Sequence, residues 1–258
     1  MPGGSEGYVR QFSHLAAQSA GVLLRSPSHS RRAEARRRLA RHSLVLAASL
    51  SALIVVLMFV FDATEIGLMP KRGLHELWPV RILTDFGKDE YVLLALAAAF
   101  LIGAFAYPLA RSSARPALAR LAIRAEYLFL AVALPVCVAE AIKWIVGRGR
   151  PFVGGNANAF NFVPFTGTEA YFSFPSAHAV TAFALAFGVT AIWPRLWVAA
   201  FAYAFLIGAS RLVLLAHHPS DVVGRALIGI VGAMAVRYWF AARRVGFDIK
   251  DDGKIVPL

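Results

Sequence analysis

The chain has little cysteine and little charge. Cys137 is the single cysteine among 258 residues, which excludes an intrachain disulfide and a zinc site built from several cysteines. Only 16% of the residues are charged, whereas soluble domains average about 25%. Hydrophobic residues make up 58% of the chain. This composition argues against a soluble domain, a disordered chain and a disulfide-stabilised scaffold.

Long apolar segments supply six candidate membrane spans. About 20 helical residues cross the hydrocarbon core of a bilayer. Three segments of 19, 20 and 25 residues contain no charged side chain: Ser43–Phe61, Tyr91–Ala110 and Ala170–Pro194. Three more carry charges near their ends: Glu126–Val146, Leu196–Leu215 and Val222–Ala242. We therefore predict an all-α fold, an integral-membrane six-helix bundle.

The remaining segments divide the chain into three parts. Charged residues interrupt Ile66–Leu83, so we predict a short interfacial helix there, between spans 1 and 2. Residues 1–42 are predicted to be a basic, partly disordered N-terminal arm on anionic headgroups. Residues 43–242 form the six-span domain, and residues 243–258 form a tail.

The basic residues are distributed unevenly between the two sides of the membrane. Seventeen lie in the arm, the tail and the loops on that side, whereas eight lie in the opposite loops. Because cytoplasmic loops carry the Lys and Arg excess, both termini and the tail are predicted to be cytoplasmic. This asymmetry accounts for most of the net charge of +12, so we expect no nucleic-acid partner. The chain has 22 Arg and 5 Lys, which favours a bacterial inner membrane.

Three polar clusters lie at the outer ends of spans 3 to 6. The first contains Lys143, Arg150 and Pro151; the second is Pro175-Ser176-Ala177-His178; the third contains Ser210, Arg211, His217, His218 and Asp221. The predicted topology places all three on the periplasmic side, although it was assigned without them. Three cations suit an anion, and the guanidinium group matches phosphate oxygens. A helix that begins at Pro175 would add free backbone N–H groups from residues 176–178.

The histidines of the third cluster allow two interpretations, a pair with Asp221 or a metal site. Pro219 is predicted to begin a helix that places Asp221 in its first turn, within reach of His217. Histidine and aspartate also bind zinc, so a metal site is the competing interpretation. The neighbouring cations would repel a divalent ion, and the sequence has no HExxH motif. We therefore expect no metal and no cofactor.

These clusters resemble the three signatures of the type-2 phosphatidic acid phosphatase superfamily, KxxxxxxRP, PSGH and SRxxxxxHxxxD. The first and third match fully, whereas Ala177 replaces the glycine of the second. Ala177 retains a backbone N–H, which remains a donor if the residue is helical.

The resemblance implies metal-independent phosphate transfer through a phosphohistidine. His217 would be the nucleophile, Asp221 would hold its imidazole ring, and His178 would be the general acid. The transferred phosphoryl group would be bound by five residues: Lys143, Arg150, Arg211, Ser176 and Ala177.

Neighbouring residues receive structural interpretations. Arg148 is expected to contact headgroups or solvent, and His218 to be a structural neighbour. Glu140 is the expected partner of Lys143. Arg225 follows Asp221 by one helical turn and could pair with it.

The predicted function is hydrolysis of a lipid phosphate, since a soluble ester would need no membrane site. Phosphatidic acid, phosphatidylglycerol phosphate, undecaprenyl diphosphate and lipid A are candidate substrates. Beyond the lipid and the bilayer, no obligate protein partner is predicted. A lipid phosphotransferase with the same site is the alternative. A transporter is less favoured, because its ionisable groups would be distributed through the membrane midplane.

Overall fold

The computed structural model describes residues 4–151, 153, 158–174, 177–250 and 252–258. In this part the chain forms nine α-helices and a two-stranded antiparallel sheet. The helices are α1 Gly4–Leu24, α2 His29–Val60, α3 Asp62–Leu68, α4 Trp78–Asp85, α5 Asp89–Leu109, α6 Arg115–Val146, α7 Ala177–Ile192, α8 Trp197–Val213 and α9 Pro219–Ala242. The strands are β1 Phe247–Ile249 and β2 Ile255–Pro257.

Six of these helices correspond to the predicted spans. Helices α2, α6, α8 and α9, and the helical stretch His75–Leu109 that contains α5, are long and apolar enough to cross a membrane. The sixth, α7, is shorter than its predicted span, since residues 170–174 of that span lie in a 3₁₀ turn and the loop after it. The all-α six-helix membrane bundle is confirmed.

Helix α7 is short, and other helices surround it. Its 16 residues extend about 24 Å, less than the roughly 30 Å of a hydrocarbon core. It packs against α6, α8 and α9, and Ala179, Val180 and Ala184 are fully buried. Gly229 of α9 brings the backbones together, since a Cβ there would lie 2.7 Å from the Val180 carbonyl oxygen. The central helix is therefore shielded from lipid by protein.

The region predicted to hold one short helix between spans 1 and 2 contains two. Two short helices occupy this region, α3 and α4, with a 3₁₀ turn at His75–Leu77 before α4. Pro70 and Gly73, which has φ +86°, lie between them and prevent one continuous helix. Helix α4 packs against α8, and α3 directly follows the first span.

The arm and the tail meet at one end of the bundle. In the described residues, the arm predicted to be partly disordered contains α1 and the first turns of α2. Arg31 of α2 donates to Asp248 of β1 at 3.1 Å, and Arg38 Nη2 donates to the Asp252 carbonyl at 3.1 Å. These bonds join the two chain termini near the C-terminal end of α9.

Candidate active site

The polar clusters meet at the opposite end of the bundle. Helix α6 ends at Gly147, whose φ of +54° is a left-handed cap that glycine adopts without strain. The following residues then pair with a distant segment, since Gly149 N–H donates to the Asn161 carbonyl at 2.8 Å. Ser173 N–H donates to the Arg148 carbonyl at 2.9 Å. The first cluster is thereby fastened beside the loop that leads into α7.

His217 is buried in the loop between α8 and α9. Its Nδ1 lies 2.8 Å from the carbonyl oxygen of Ser173. Because a carbonyl can only accept, Nδ1 carries the proton and Nε2 keeps its lone pair. Burial lowers the pKa of His217 well below its ordinary value, and the positive charges of Arg225, Arg211 and Arg150 lower it further. The ring is therefore neutral, in the form that can act as a nucleophile.

The direct contact expected between Asp221 and His217 is replaced by an indirect one. Asp221 Oδ2 accepts from the Ser173 hydroxyl at 2.6 Å and from the His218 backbone N–H at 2.9 Å. As the third residue of α9, Asp221 turns back toward the helix start and satisfies a free N–H there. Ser173 therefore lies between the carboxylate and the imidazole. Its role was missed, because a backbone carbonyl acceptor leaves no sequence motif.

Arg148 corrects a second expectation. It does not face headgroups or solvent but is only 2% exposed. Its Nη1 donates to Asp221 Oδ1 at 2.5 Å and its Nη2 to Asp62 Oδ2 at 2.8 Å. Nε and Nη2 also donate to the Ala159 carbonyl. The arginine thus joins the first and third clusters and links both to α3.

Asp62 is a second residue that sequence reasoning missed. It is fully buried at the first position of α3. Its carboxylate accepts from Arg148 and from both the backbone N–H and the hydroxyl of Ser220. The only available signal was an acidic residue that directly follows the charge-free run ending at Phe61.

Three arginines around His217 retain donors without acceptors in the described part of the chain. Buried Nε atoms of Arg150 and Arg211, and Nε and Nη1 of Arg225, have no partner there. Arg211 Nη1 donates to Thr84 of α4 at 3.2 Å. Burial lowers the pKa of Arg150, and the nearby positive charge of Arg72 adds to this effect. An anion such as phosphate would satisfy these donors and offset their charge.

Arg225 does not form the expected hydrogen-bonded pair with Asp221. Its Nη2 donates instead to the Ser173 carbonyl at 2.5 Å, the same oxygen that accepts from His217. Ser173 therefore binds an arginine, a histidine and, through its hydroxyl, an aspartate. Its complete burial excludes water from these bonds and strengthens them.

The remaining predicted site residues lie at the end of α6 and at the start of α7. Lys143, in the last turn of α6, pairs with Glu140 as expected, and its Nζ lies 5.4 Å from the centre of the Phe172 ring. His178 is half-buried in the first turn of α7. Ala177 is the first residue of that helix, so the helical backbone that its N–H requires is present. Ser176 lies outside the described residues.

The remaining histidine, His218, is fully buried just before α9. Burial lowers its pKa, and its ring nitrogens have no hydrogen-bond partner in the described part of the chain. Among the described residues, no three His, Cys, Asp or Glu side chains form a group that could hold a metal ion.

Several known proteins are similar to this chain. The lipid A 1-phosphatase of Rhizobium johnstonii is 31% identical over 78% of this chain and 82% of its own length. The lipid A 4'-phosphatase of Bacteroides thetaiotaomicron is 30% identical over 48% of this chain and 57% of its own. A solved PAP2-type phosphatidylglycerolphosphate phosphatase from Bacillus subtilis has 20% identity and a TM-score of 0.48, covering 78% of this chain and 92% of that one.

The family profile covers the part of the chain that carries the three clusters. Residues 124–244 match the PAP2 superfamily, a range that begins in α6 and extends just beyond α9. The first relative extends the similarity to most of the length of both chains. This chain therefore belongs to the PAP2 superfamily.

Proposed function

We propose that this membrane protein is a lipid phosphatase that removes a phosphate from lipid A or a similar lipid. Its family and its lipid A phosphatase relatives support the reaction and the substrate class. The observation that carries the proposal is a neutral, buried His217 beside three arginines that have N–H donors without an acceptor in the described part of the chain. A phosphate monoester supplies the electrophile for His217 and oxygens that can accept from these donors.

The first step is attack of His217 Nε2 on phosphorus. A P–N bond forms as the P–O bond to the lipid breaks, and the transferred phosphoryl group stays on His217. Arg150, Arg211 and Arg225 donate to its oxygens and stabilise the charge in the transition state. The Ser173 carbonyl keeps the Nδ1 proton in place and stabilises the positive charge that develops on the imidazole ring.

His178 completes the cycle from the start of α7. It donates a proton to the leaving lipid oxygen, and then accepts one from the water that hydrolyses the P–N bond. Free N–H groups at the beginning of α7 add a positive end to the phosphate site. The proposed reaction steps need no metal ion.

The reaction is assigned to the periplasmic face of a bacterial inner membrane. The Lys and Arg excess supports cytoplasmic termini, and the arm and tail meet at the end of the bundle away from His217. The nucleophile then faces the other side of the membrane.

The test is phosphate release by the purified protein in detergent, with lipid A 1-phosphate as the first substrate. Phosphatidic acid, phosphatidylglycerol phosphate and undecaprenyl diphosphate are compared in parallel. We expect release that EDTA does not abolish, and a radiolabelled, acid-labile protein phosphate when the reaction is quenched early. Substitution His217→Asn should remove both signals, whereas His218→Asn retains an α9 cap residue and should keep most of the activity. Label transfer to a lipid hydroxyl without free phosphate would instead show a phosphotransferase.

A further inference from the structure

Asp62 and Arg148 form a buried ion pair that extends the site beyond its motifs. Neither is among the residues that match the three signatures, and Asp62 lies outside the family match at residues 124–244. Their side chains are 0% and 3% exposed, and Arg148 Nη2 lies 2.8 Å from Asp62 Oδ2. Charged groups are costly to bury unless they are paired and hydrogen-bonded, so this pair requires an explanation.

The pair is connected to His217 by an unbroken series of hydrogen bonds. Arg148 Nη1 donates to Asp221 Oδ1 at 2.5 Å, and Asp221 Oδ2 accepts from the Ser173 hydroxyl at 2.6 Å. The Ser173 carbonyl accepts from His217 Nδ1 at 2.8 Å. A second connection runs through the backbone, because Ser173 N–H donates to the Arg148 carbonyl at 2.9 Å. Arg148 therefore holds Ser173 directly through its main-chain carbonyl and indirectly through its side chain and Asp221.

Asp62 acts on the start of α9 as well. It accepts from the backbone N–H of Ser220 at 3.0 Å and from the Ser220 hydroxyl. This N–H belongs to the first turn of α9, where no intrahelical acceptor is available and a carboxylate is favoured by the helix dipole. Asp62 thus caps α9 from a helix that lies 158 residues earlier in the chain.

The charges explain why two carboxylates surround one guanidinium. Arg148 on its own would neutralise Asp221, but its second Nη would then lack a charged acceptor. Asp62 provides that acceptor and prevents Arg148 from turning away from Asp221. Both Nη atoms are thereby used, and the planar guanidinium is held in one orientation.

We propose that Asp62 and Arg148 are positioning residues, which act through Asp221 and Ser173 to orient the His217 ring for attack on phosphorus. This inference rests on the proposed function. It makes α3, outside the matched family region, part of the catalytic centre. A misplacement of about 1 Å can cost about a hundredfold in rate, so loss of either residue should lower turnover with little effect on substrate binding.

The experiment measures kcat and KM for phosphate release by Asp62→Asn, Ser173→Ala and the double variant. Asp62→Asn keeps the shape of the side chain and removes its charge; Ser173→Ala removes the hydroxyl but keeps the carbonyl that binds His217. The matched control is Asp248→Asn, since Asp248 also bonds two arginines, Arg31 and Arg244, at the other end of the bundle. Folding is checked by gel filtration and thermal unfolding in detergent.

We expect Asp62→Asn to lower kcat by about tenfold to a hundredfold, with KM within about threefold and a folded, monodisperse protein. Because Asp62 acts on His217 through Asp221 and then Ser173, the double variant should lose little more than the worse single variant. Asp248→Asn should keep its kcat. If Asp62→Asn fails to fold, Ser173→Ala tests the proposal by the same criterion, a lower kcat with a nearly unchanged KM.

Unchanged kcat per folded molecule in Asp62→Asn or Ser173→Ala, or multiplicative losses in the double variant, would overturn the positioning role. The proposed function fails by a different result: a wild-type protein that releases no phosphate from any lipid, or one whose activity survives His217→Asn.

Discussion

At the scale of single residues, the protonation of His217 decides whether the proposed reaction can proceed. The attacking Nε2 must be unprotonated, and burial together with three arginine charges lowers the pKa of His217 well below its ordinary 6.5. The neutral ring therefore persists as the pH falls. Residues that change this local charge should change the pH at which activity is lost.

We expect the acidic limb of the pH profile of kcat/KM to lie clearly below pH 6.5. Substitution Arg150→Gln removes one of the charges that lower the pKa of His217, so the limb should move to higher pH while activity falls. Arg120→Gln, near the other end of α6, removes an equal charge and should leave the limb in place. Initial rates of phosphate release between pH 4 and 9 provide the measurement. A limb at or above pH 6.5, or a downward move in Arg150→Gln, would contradict this assignment.

Glu65 is a buried residue that the mechanism does not use. Neither carboxyl oxygen has a donor in the described part of the chain. Burial, with the negative charges of Asp62 and Asp221, raises the pKa of Glu65 to about 7 from 4.5. Between these two pH values the folded protein keeps a proton that the unfolded chain has lost. Stability therefore falls as the pH rises through this interval. The destabilisation that ionised Glu65 causes is largest above pH 7.

Substitution Glu65→Gln should accordingly stabilise the protein at pH 8, by about 1–3 kcal/mol, and have little effect near pH 5. Thermal unfolding in detergent at both pH values measures this difference. The exposed Glu76 is the control, and Glu76→Gln should change the melting temperature equally little at both. A stabilisation by Glu65→Gln that is as large at pH 5 as at pH 8 would show a packing effect instead.

The residues that could be predicted have ionisable side chains at the spacing of the family motifs. The structure brings Arg211 and Arg150 close enough to His217 for their charges to lower its pKa, and Lys143 pairs with Glu140 as expected. Asp62, Ser173 and the burial of Arg148 could not be predicted. Their bonds join positions as far as 158 residues apart, and the acceptor for His217 is a main-chain carbonyl. Such contacts depend on tertiary packing, which has no local periodicity.

At the scale of secondary-structure elements, the turn at the end of α6 delivers Arg148 and Arg150 to the site. Gly147 has φ +54°, and a Cβ at this position would clash with the carbonyl oxygen of Val163. Gly167 has a similar φ of +65°, but a Cβ there would meet no other atom within 4 Å. A comparison of substitutions at the two positions therefore separates the cost of backbone strain from that of a steric clash.

We expect Gly167→Ala to cost about 1 kcal/mol, from the left-handed conformation alone. Gly147→Ala should cost clearly more, because the neighbouring strand-like segment must also move, and it should lower kcat by displacing both arginines. Thermal unfolding and phosphate release of the two variants are compared. Equal losses in both would mean that the α6 turn has no special part in building the site.

The boundaries of α5 followed the charge pattern of the sequence, whereas those of α7 departed from it. Helix α5, Asp89–Leu109, nearly coincides with the charge-free run Tyr91–Ala110. Helix α7 covers only 16 residues of a 25-residue run, because a helix enclosed by protein need not match the bilayer thickness. An apolar run shows that a segment avoids water, but not whether lipid or other helices cover it.

At the scale of the whole molecule, the two ends of the bundle hold different parts of the chain. The chain termini meet at one end through Arg31, Arg38, Asp248 and the Asp252 carbonyl, and His217 lies at the other. The six-span arrangement was predictable from hydropathy and charge asymmetry. The joining of arm and tail was not, since it depends on pairing between residues 217 positions apart.

This polarity gives a test of orientation that is independent of activity. In a Cys137→Ser background, Lys71→Cys places a thiol in the exposed segment between α3 and α4, and Leu258→Cys places one at the exposed chain end. With the termini cytoplasmic, a membrane-impermeant maleimide should label Lys71→Cys in intact spheroplasts and Leu258→Cys only after permeabilisation. Labelling in the reverse order would put the arginines and His217 on the cytoplasmic side. The substrate would then have to be presented from the inner leaflet, even if phosphate release by the purified protein were unchanged.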